Sequence, residues 1–383
     1  MKKKETIENY LSSEHPYPVL QISKEALLNN LKLFKKLISK SEKKVKILIP
    51  VKANAYGFGI STLYPFFNEA PIDYLGVANP WEGRYLRSLG YKKPILNLGG
   101  FYPENADDFF KYDIIPSITD VWQISLLQLR ASALNKKMDI HLKWDMGMGR
   151  IGLKQEDLYK ITDDLKKSKN LKIKGLFTHF PLADSTNKKP TRDLLNKFLK
   201  TMKEFLSVTR IKRDSVIMHA ANSYGTLLYK ESHLDMIRPG LAFYGYYQNR
   251  EDKEKYDEKF KLKPALRLLA RPISIRNVKK GESISYGSTY TVKDENMAVG
   301  VIPLGYADGI LRALSNSISF EGHPLLGRVT MDQIMLGNVK SAQTPIEIIG
   351  EKSLPLEYWA QKANTVTYEI LTGLGHRLRR ELI

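Results

Sequence analysis

Between about residues 45 and 245, short β-rich apolar runs alternate with longer stretches of helical periodicity, the pattern of repeated βα units around a parallel sheet. Eight apolar runs stand out, centred on Val45 to Lys52, Tyr74 to Ala78, Ile95 to Leu98, Ile114 to Ser117, Ile140 to Asp145, Ile173 to His179, Val216 to Ala220 and Met236 to Ala242. Eight parallel strands with intervening helices favour closure into a (β/α)8 TIM-type barrel over an open doubly wound sheet, whose glycine-rich phosphate fingerprint is also missing. After Gly245 the texture changes. Tyr246 to Lys261 is polar and charge-rich, a connector, and a strand-rich tail follows, with strands expected over Leu266 to Val278, Met297 to Leu304, Leu325 to Met331 and Ile346 to Ile349 and a helix over Leu356 to Ala363. The expected division is an extension and first strand at 1–24 that joins the C-terminal domain, a barrel at 25–258 and a mainly β domain at 259–383.

Composition narrows the classes of function. A chain of 383 residues, 43% hydrophobic and 26% charged, can bury a sizeable core in about two domains. It contains no cysteine, so disulfides, thiolate metal sites and cysteine nucleophiles are excluded. Its formal charge is +19, yet lysine pairs such as Lys35-Lys36, Lys43-Lys44, Lys166-Lys167 and Lys188-Lys189 are spread along the chain with acidic residues nearby. They form no stripe of the kind that counterion release rewards, so nucleic acid is not the expected partner; the excess can steer anionic ligands. No run approaches a membrane span, and the polar start lacks a signal core, which predicts a cytoplasmic protein without membrane attachment.

In barrels of this kind the reacting groups gather where the strands run out at their carboxyl ends. The first run ends in Val51-Lys52-Ala53-Asn54-Ala55-Tyr56-Gly57, the fifth in Lys143-Trp144-Asp145-Met146-Gly147-Met148-Gly149-Arg150 and the sixth in Thr178-His179-Phe180. The seventh ends in His219-Ala220-Ala221-Asn222-Ser223, and the eighth carries Arg238-Pro239-Gly240-Leu241. A lysine amine at such a mouth can condense with an aldehyde cofactor, and desolvation there lowers its pKa so that it can also exchange protons. With 60 lysines and arginines in the chain, position alone does not distinguish Lys52 from a surface lysine.

The motifs do. VKANAYG, KWDMGMGRIG, THF, ANS, RPG, SYGSTY, GYADG and MDQ occur in this order from about Val19 to Arg377, and together they resemble the alanine racemase family. The resemblance implies pyridoxal 5'-phosphate as cofactor, a small amino acid as substrate with L-alanine first, and a homodimer whose sites each borrow residues from the partner. Lys52 would carry the cofactor and act as base on one face, and Tyr286 of the other subunit would serve the opposite face, since racemisation removes a proton on one side and returns it on the other. His179 and Arg238 match residues that lower the pKa of that phenol. Arg238 would also meet the pyridine nitrogen; always protonated, it leaves that nitrogen without a proton and weakens the electron sink. Tyr56, Ser223, Gly240 and Leu241 would hold the phosphate, with Asn222 there or capping a helix that starts beside it. Arg150 would contact the ring oxygen and the substrate carboxylate, helped by the backbone of Met331, with Tyr306 and Asp332 lining the site and its access. Lys143 matches a family lysine that is often carbamylated; unmodified it would stand as a like charge beside Arg150, a cost that a carbamate or Asp145 could offset.

The chain departs from the family pattern at Thr330, where cysteine is common, at Phe58, where histidine is common, at His376 in place of an entrance tyrosine and at Arg379 in place of proline. Neither Thr330 nor Phe58 carries the proton transfers, while His376 and Arg379 bear on the access gate and substrate range: serine or a wider set could replace alanine. The other readings are a barrel-type decarboxylase, disfavoured by Arg238 and the lack of cysteine, and a non-catalytic carrier of the cofactor, disfavoured by the region after Pro264 with Tyr286 in its motif. The product would be D-alanine for peptidoglycan.

Overall fold

A computed structural model describes residues 17–39, 41 and 43–383. By contact the described residues form two units, one within 31–55 and 64–243, the other within 17–30, 56–63 and 244–383; most of the expected extension at 1–24 lies outside the described residues. The expected boundary at 258/259 therefore falls inside the helix Arg250–Phe260, which belongs to the second unit.

The first strand, β1 (Val19–Ile22), lies in the second unit; the eight that follow build the first. They are β2 (Lys46–Pro50), β3 (Tyr74–Val77), β4 (Ile95–Asn97), β5 (Ser117–Ile118), β6 (Met138–Lys143), β7 (Leu171–Phe177), β8 (Ile217–His219) and β9 (Met236–Ile237). All their pairings are parallel, in the orders β4-β3-β2-β9 and β5-β6-β7-β8. A parallel bridge between Leu96 and Ile115 joins β4 to the run before β5, and Asp235 N–H donates to Met218 O at 2.9 Å between β8 and β9. The ring is closed: a (β/α)8 barrel, with each expected run contributing one strand. Short strands buried on both faces need apolar residues throughout, and Leu48, Leu96 and Met236 meet inside the ring. Outside, helices bury one stripe each. Lys189–Thr209 turns Thr191, Leu195, Phe198, Thr201, Met202 and Phe205 inward, the three-to-four residue spacing of an amphipathic helix.

The second unit is mainly β. In it β10 (Leu266–Ala270) pairs antiparallel with β1, and β11 (Ser274–Lys279) lies in a different sheet. The single strand expected over Leu266 to Val278 is thus two, broken at Arg271-Pro272, because proline fixes φ, lacks an N–H and restricts the residue before it. A small hairpin, β12 (Ser283–Ile284) with β13 (Tyr290–Thr291), precedes β14 (Asn296–Ile302). The remaining strands are β15 (Ser319–Phe320), β16 (His323–Leu326), β17 (Ile334–Gly337), β18 (Ile346–Ile349) and β19 (Arg379–Leu382), giving sheets β18-β10-β1-β19 and β11-β14-β17-β16-β15. The strand expected to reach Met331 stops at Leu326, because Gly327 takes φ 73° and turns the chain. Ile284, Val292, Met297, Val299 and Leu326 form an apolar core of this unit.

Candidate active site

Lys52 stands two residues past the end of β2, after Val51. Val51 N–H donates to Gly76 O at 2.8 Å, which extends pairing to the strand end, and then the chain turns left-handed: Ala53, Asn54 and Ala55 have φ of 53–54° and ψ of 49–54°. Such a turn costs an L-residue roughly 1–2 kcal/mol per position. The result is an amine that burial and the cation of Arg150 together push below its ordinary value, against an opposing pull from Glu82. It is therefore more readily neutral, as a nucleophile or base must be.

Three further cations share this rim. Lys143, the last residue of β6, is buried, donates to Leu98 O at 3.2 Å, and is pushed down to about 7 by burial first and then by Arg150, Arg238 and Lys52. Asp145 does little to offset this, because it is spent on the loop that presents Arg150. It accepts N–H groups from Gly147 at 2.9 Å, Met148 at 2.7 Å and Arg150 at 3.0 Å. Burial pushes its carboxyl up, but those amides and that of Gly149 outweigh burial and hold it low. His179 follows β7 and is held well below its ordinary value by burial and by Arg238, Lys143, Arg150 and Lys52. Held that low, the imidazole is neutral at physiological pH.

Arg238 is anchored from below. Its guanidinium, buried within the barrel, donates to Thr178 O at 2.8 Å and Ala220 O at 3.0 Å and meets His219 Nδ1 at 2.7 Å. His219 Nε2 in turn lies 3.0 Å from His141 Nδ1. A guanidinium only donates, so His219 Nδ1 accepts, its proton sits on Nε2, and His141 receives that proton's hydrogen bond on Nδ1. Both imidazoles must be neutral for this chain to exist. Burial does that, pushing His141 down to about 3 and His219 well below its ordinary value, each helped by Arg238. Burial lowers Arg238 itself to about 9, still a cation at pH 7. The imidazole of His141 occupies the space where a β-carbon at position 175 would stand. Gly175→Ala is therefore expected to cost about 2 kcal/mol or more, the scale of overpacking a close-packed core, measurable as a lower urea midpoint; an unchanged midpoint would refute the clash.

Asn222, Ser223, Gly240 and Leu241 follow β8 and β9. The Asn222 side chain accepts Gly225 N–H at 2.9 Å and donates to Phe180 O at 3.3 Å, so it caps the helix Ser223–Leu228. Ser223 Oγ accepts Ala242 N–H at 3.2 Å, which leaves its hydroxyl proton to donate.

The other expected residues lie in the second unit. Tyr56 is buried, its ring 5.0 Å from Tyr244 and 6.0 Å from Tyr368, and burial with Tyr368 drives its phenol well above the ordinary value, so it stays a donor. Tyr286 is not in a strand: it opens a short 3-10 turn after β12 and is 73% exposed. Met331 and Tyr306 are 53% and 45% exposed and stand side by side, since Tyr306 N–H donates to Thr330 O at 3.0 Å and Ala307 N–H to Met331 O at 3.1 Å. Arg377 clamps this pair of turns, donating to Asp308 from Nε at 2.9 Å and from Nη2 at 2.8 Å, and to Asp332 from Nη1 at 2.7 Å. Asp332 is marked by the MDQ motif, but no motif marks the arginine it meets, nor Glu82, His141 and the role of His219. His219 adjoins a motif and was within reach; Glu82 and His141 sit in runs that read as helix and strand.

Residues 22–248 match the family described as alanine racemase, N-terminal domain, and 265–382 the alanine racemase C-terminal domain. The chain is 35% identical over 348 residues to an alanine racemase of Halothermothrix orenii, covering 88% of this chain and 90% of that one. It is 34% identical over 370 residues to that of Treponema denticola, covering 92% and 95%. Among solved structures, alanine racemase of Bacillus anthracis with bound L-Ala-P aligns with TM-score 0.87 at 29% identity, over 97% of this chain and 96% of that one. The enzyme of Clostridium difficile 630 aligns with TM-score 0.84 at 30% identity, over 94% of each.

Proposed function

The chain belongs to the alanine racemase family, and from that premise we propose that it is a pyridoxal 5'-phosphate-dependent isomerase that interconverts L- and D-alanine by two proton-transfer groups, Lys52 and Tyr286. The observation that carries this reading is the depressed Lys52 amine on its left-handed turn, ringed by Lys143, Arg150, Arg238 and a neutral His179. The donors fit the cofactor. Lys52 offers an amine for its aldehyde, Arg238 a buried guanidinium for its ring nitrogen, and Ser223, Tyr56 and the backbone of Gly240 and Leu241 offer hydrogen bonds for its phosphate, with Asn222 fixing the turn that carries Ser223. When bound, the cofactor supplies an electron sink for the charge left on the α-carbon.

The protein's part is then to hold the substrate and move one proton. Arg150, placed by the Asp145 loop, and the backbone of Met331 would grip the carboxylate. Lys52 Nζ would take or give the proton on one face and Tyr286 Oη on the other. Arg238 can only donate, so facing the ring nitrogen it would leave that atom without a proton and keep the electron sink weak, which would favour rapid return of the proton to the α-carbon. The exposure of Tyr286, Met331 and Tyr306 supports a homodimer in which each copy completes the other's site, with Tyr306 and Asp332 along the access. Among the described residues no helix is long and apolar enough to cross a membrane; we place the enzyme in the cytoplasm, where D-alanine would feed peptidoglycan.

Loss of optical activity with L-alanine, L-serine and L-lysine tests the reaction. Alanine should turn over fastest. A protein that takes up the cofactor but racemises none of the three would be a carrier, and comparable rates with serine would make it a broader racemase.

Lys143, we propose further, is a carbamate. A neutral amine adds carbon dioxide, forming an N–C bond and releasing a proton, and a lysine at about 7 is half neutral near physiological pH. The product is an anion beside Arg150, which removes the like-charge cost. With 13C-bicarbonate, a carbamate signal should appear as pH rises through about 7, vanish on acidification, and be missing in Lys143→Arg. A wild-type protein without the signal above that pH would overturn this.

A further inference from the structure

Lys52 is followed by an improbable stretch of backbone. Ala53, Asn54, Ala55 and Tyr56 all have positive φ, between 53° and 57°. Single residues visit this region; runs of four non-glycine residues do not form unaided, and strain of this kind persists only where the surroundings over-determine it. One side chain supplies such a constraint. Glu82, 7% exposed, accepts Ala53 N–H on Oε1 and Ala78 N–H on Oε2, each at 2.7 Å. A single carboxylate thus ties the first strained residue after Lys52 to the residue that follows β3. Glu82 is itself fixed, in the first turn of the helix Pro80–Ser88, where its own N–H is capped by Asn79 Oδ1 at 3.4 Å.

From this geometry we infer that Glu82 is a positioning residue: it holds the left-handed turn in place and so decides where the Lys52 amine stands. The inference rests on the reading of Lys52 as the residue that bears the cofactor. A carboxylate is required because it offers two acceptors. Glutamine offers one, and its amide group would confront the other buried N–H with a second donor, leaving it unsatisfied. The groups acting on Lys52 are Arg150, which disfavours its charge, and Glu82, which favours it.

The test compares the full-length wild type with Glu82→Gln and with Glu82→Gln/Ala53→Gly. Ala53 is exposed, so glycine there leaves no cavity, and glycine takes positive φ without penalty. Two quantities are read: amide hydrogen exchange at Ala53 and Ala78 in cofactor-free protein, and attachment of pyridoxal 5'-phosphate at Lys52, trapped by borohydride and located by peptide mass. In Glu82→Gln at least one of the two amides, the one left facing the side-chain NH2, should exchange about tenfold faster or more, the scale of one lost buried hydrogen bond. The barrel amides of Leu142 and Leu176 should not change. Attachment at Lys52 should fall by a similar factor, and Ala53→Gly should restore part of it, because glycine removes the positive-φ cost at the residue the brace contacts. Wild-type exchange and attachment in Glu82→Gln would overturn the inference, and so would a loss that glycine does not restore. If wild-type Lys52 itself takes no cofactor, it is the reading of the site that fails, not the brace.

Discussion

Lys52→Ala is expected to lose retained cofactor and to lower kcat/KM for alanine racemisation by about ten-thousandfold or more, since it removes both the covalent anchor and one proton-transfer group, the latter alone worth roughly 10²–10⁴. The fold should not suffer. A lysine whose pKa is lowered on folding destabilises the native state, because the unfolded chain binds the proton more tightly. Here burial and Arg150 lower it from 10.5. The cost is fully present below the folded pKa and fades as pH rises from there through 10.5. Lys52→Ala should therefore unfold at an equal or higher urea concentration than wild type near neutral pH, and the two should converge in alkali. D-alanine formation, the visible absorbance of the bound cofactor and urea curves at several pH values measure these effects. A variant that still racemises alanine would displace Lys52 from its role.

Sequence patterning located what is repetitive and hid what is geometric. Eight apolar runs became eight strands because a strand buried on both faces has almost no polar residues to spare. Lys52, Lys143, Arg150, His179 and Arg238 were legible because they lie at or just past strand ends, and barrel topology carries every such end to one rim. Their charge states were not. His179, matched to a residue that lowers a phenol's pKa, is neutral, because burial first and then its basic neighbours, Arg238 foremost, act on it together, and no linear motif encodes that sum. Glu82 belongs to a helix start in the sequence, and only the fold brings its carboxylate to a loop 29 positions earlier. The break at Arg271-Pro272 was visible as a proline, yet continuous β-propensity on both sides masked a change of sheet.

Tyr286→Phe should separate the two faces of the reaction. The residue is 73% exposed, so loss of its hydroxyl should leave stability within about 0.5 kcal/mol, while racemisation falls by roughly 10²–10⁴ in both directions. Exchange of the α-hydrogen with deuterated solvent should persist for one enantiomer only, the one whose hydrogen faces Lys52. Mixing then tests where the tyrosine comes from. If each site takes Lys52 from one copy and Tyr286 from the other, a heterodimer of Lys52→Ala and Tyr286→Phe has one site with both defects and one with neither. Random exchange of subunits makes half the dimers mixed, so about one quarter of all sites become intact, and activity should recover to about that fraction of wild type from two inactive parents. No recovery after demonstrated subunit exchange would mean that Lys52 and Tyr286 act within one chain, and the exposed Tyr286 would need another explanation. Exchange retained by both enantiomers would mean that a group other than the phenol serves the second face.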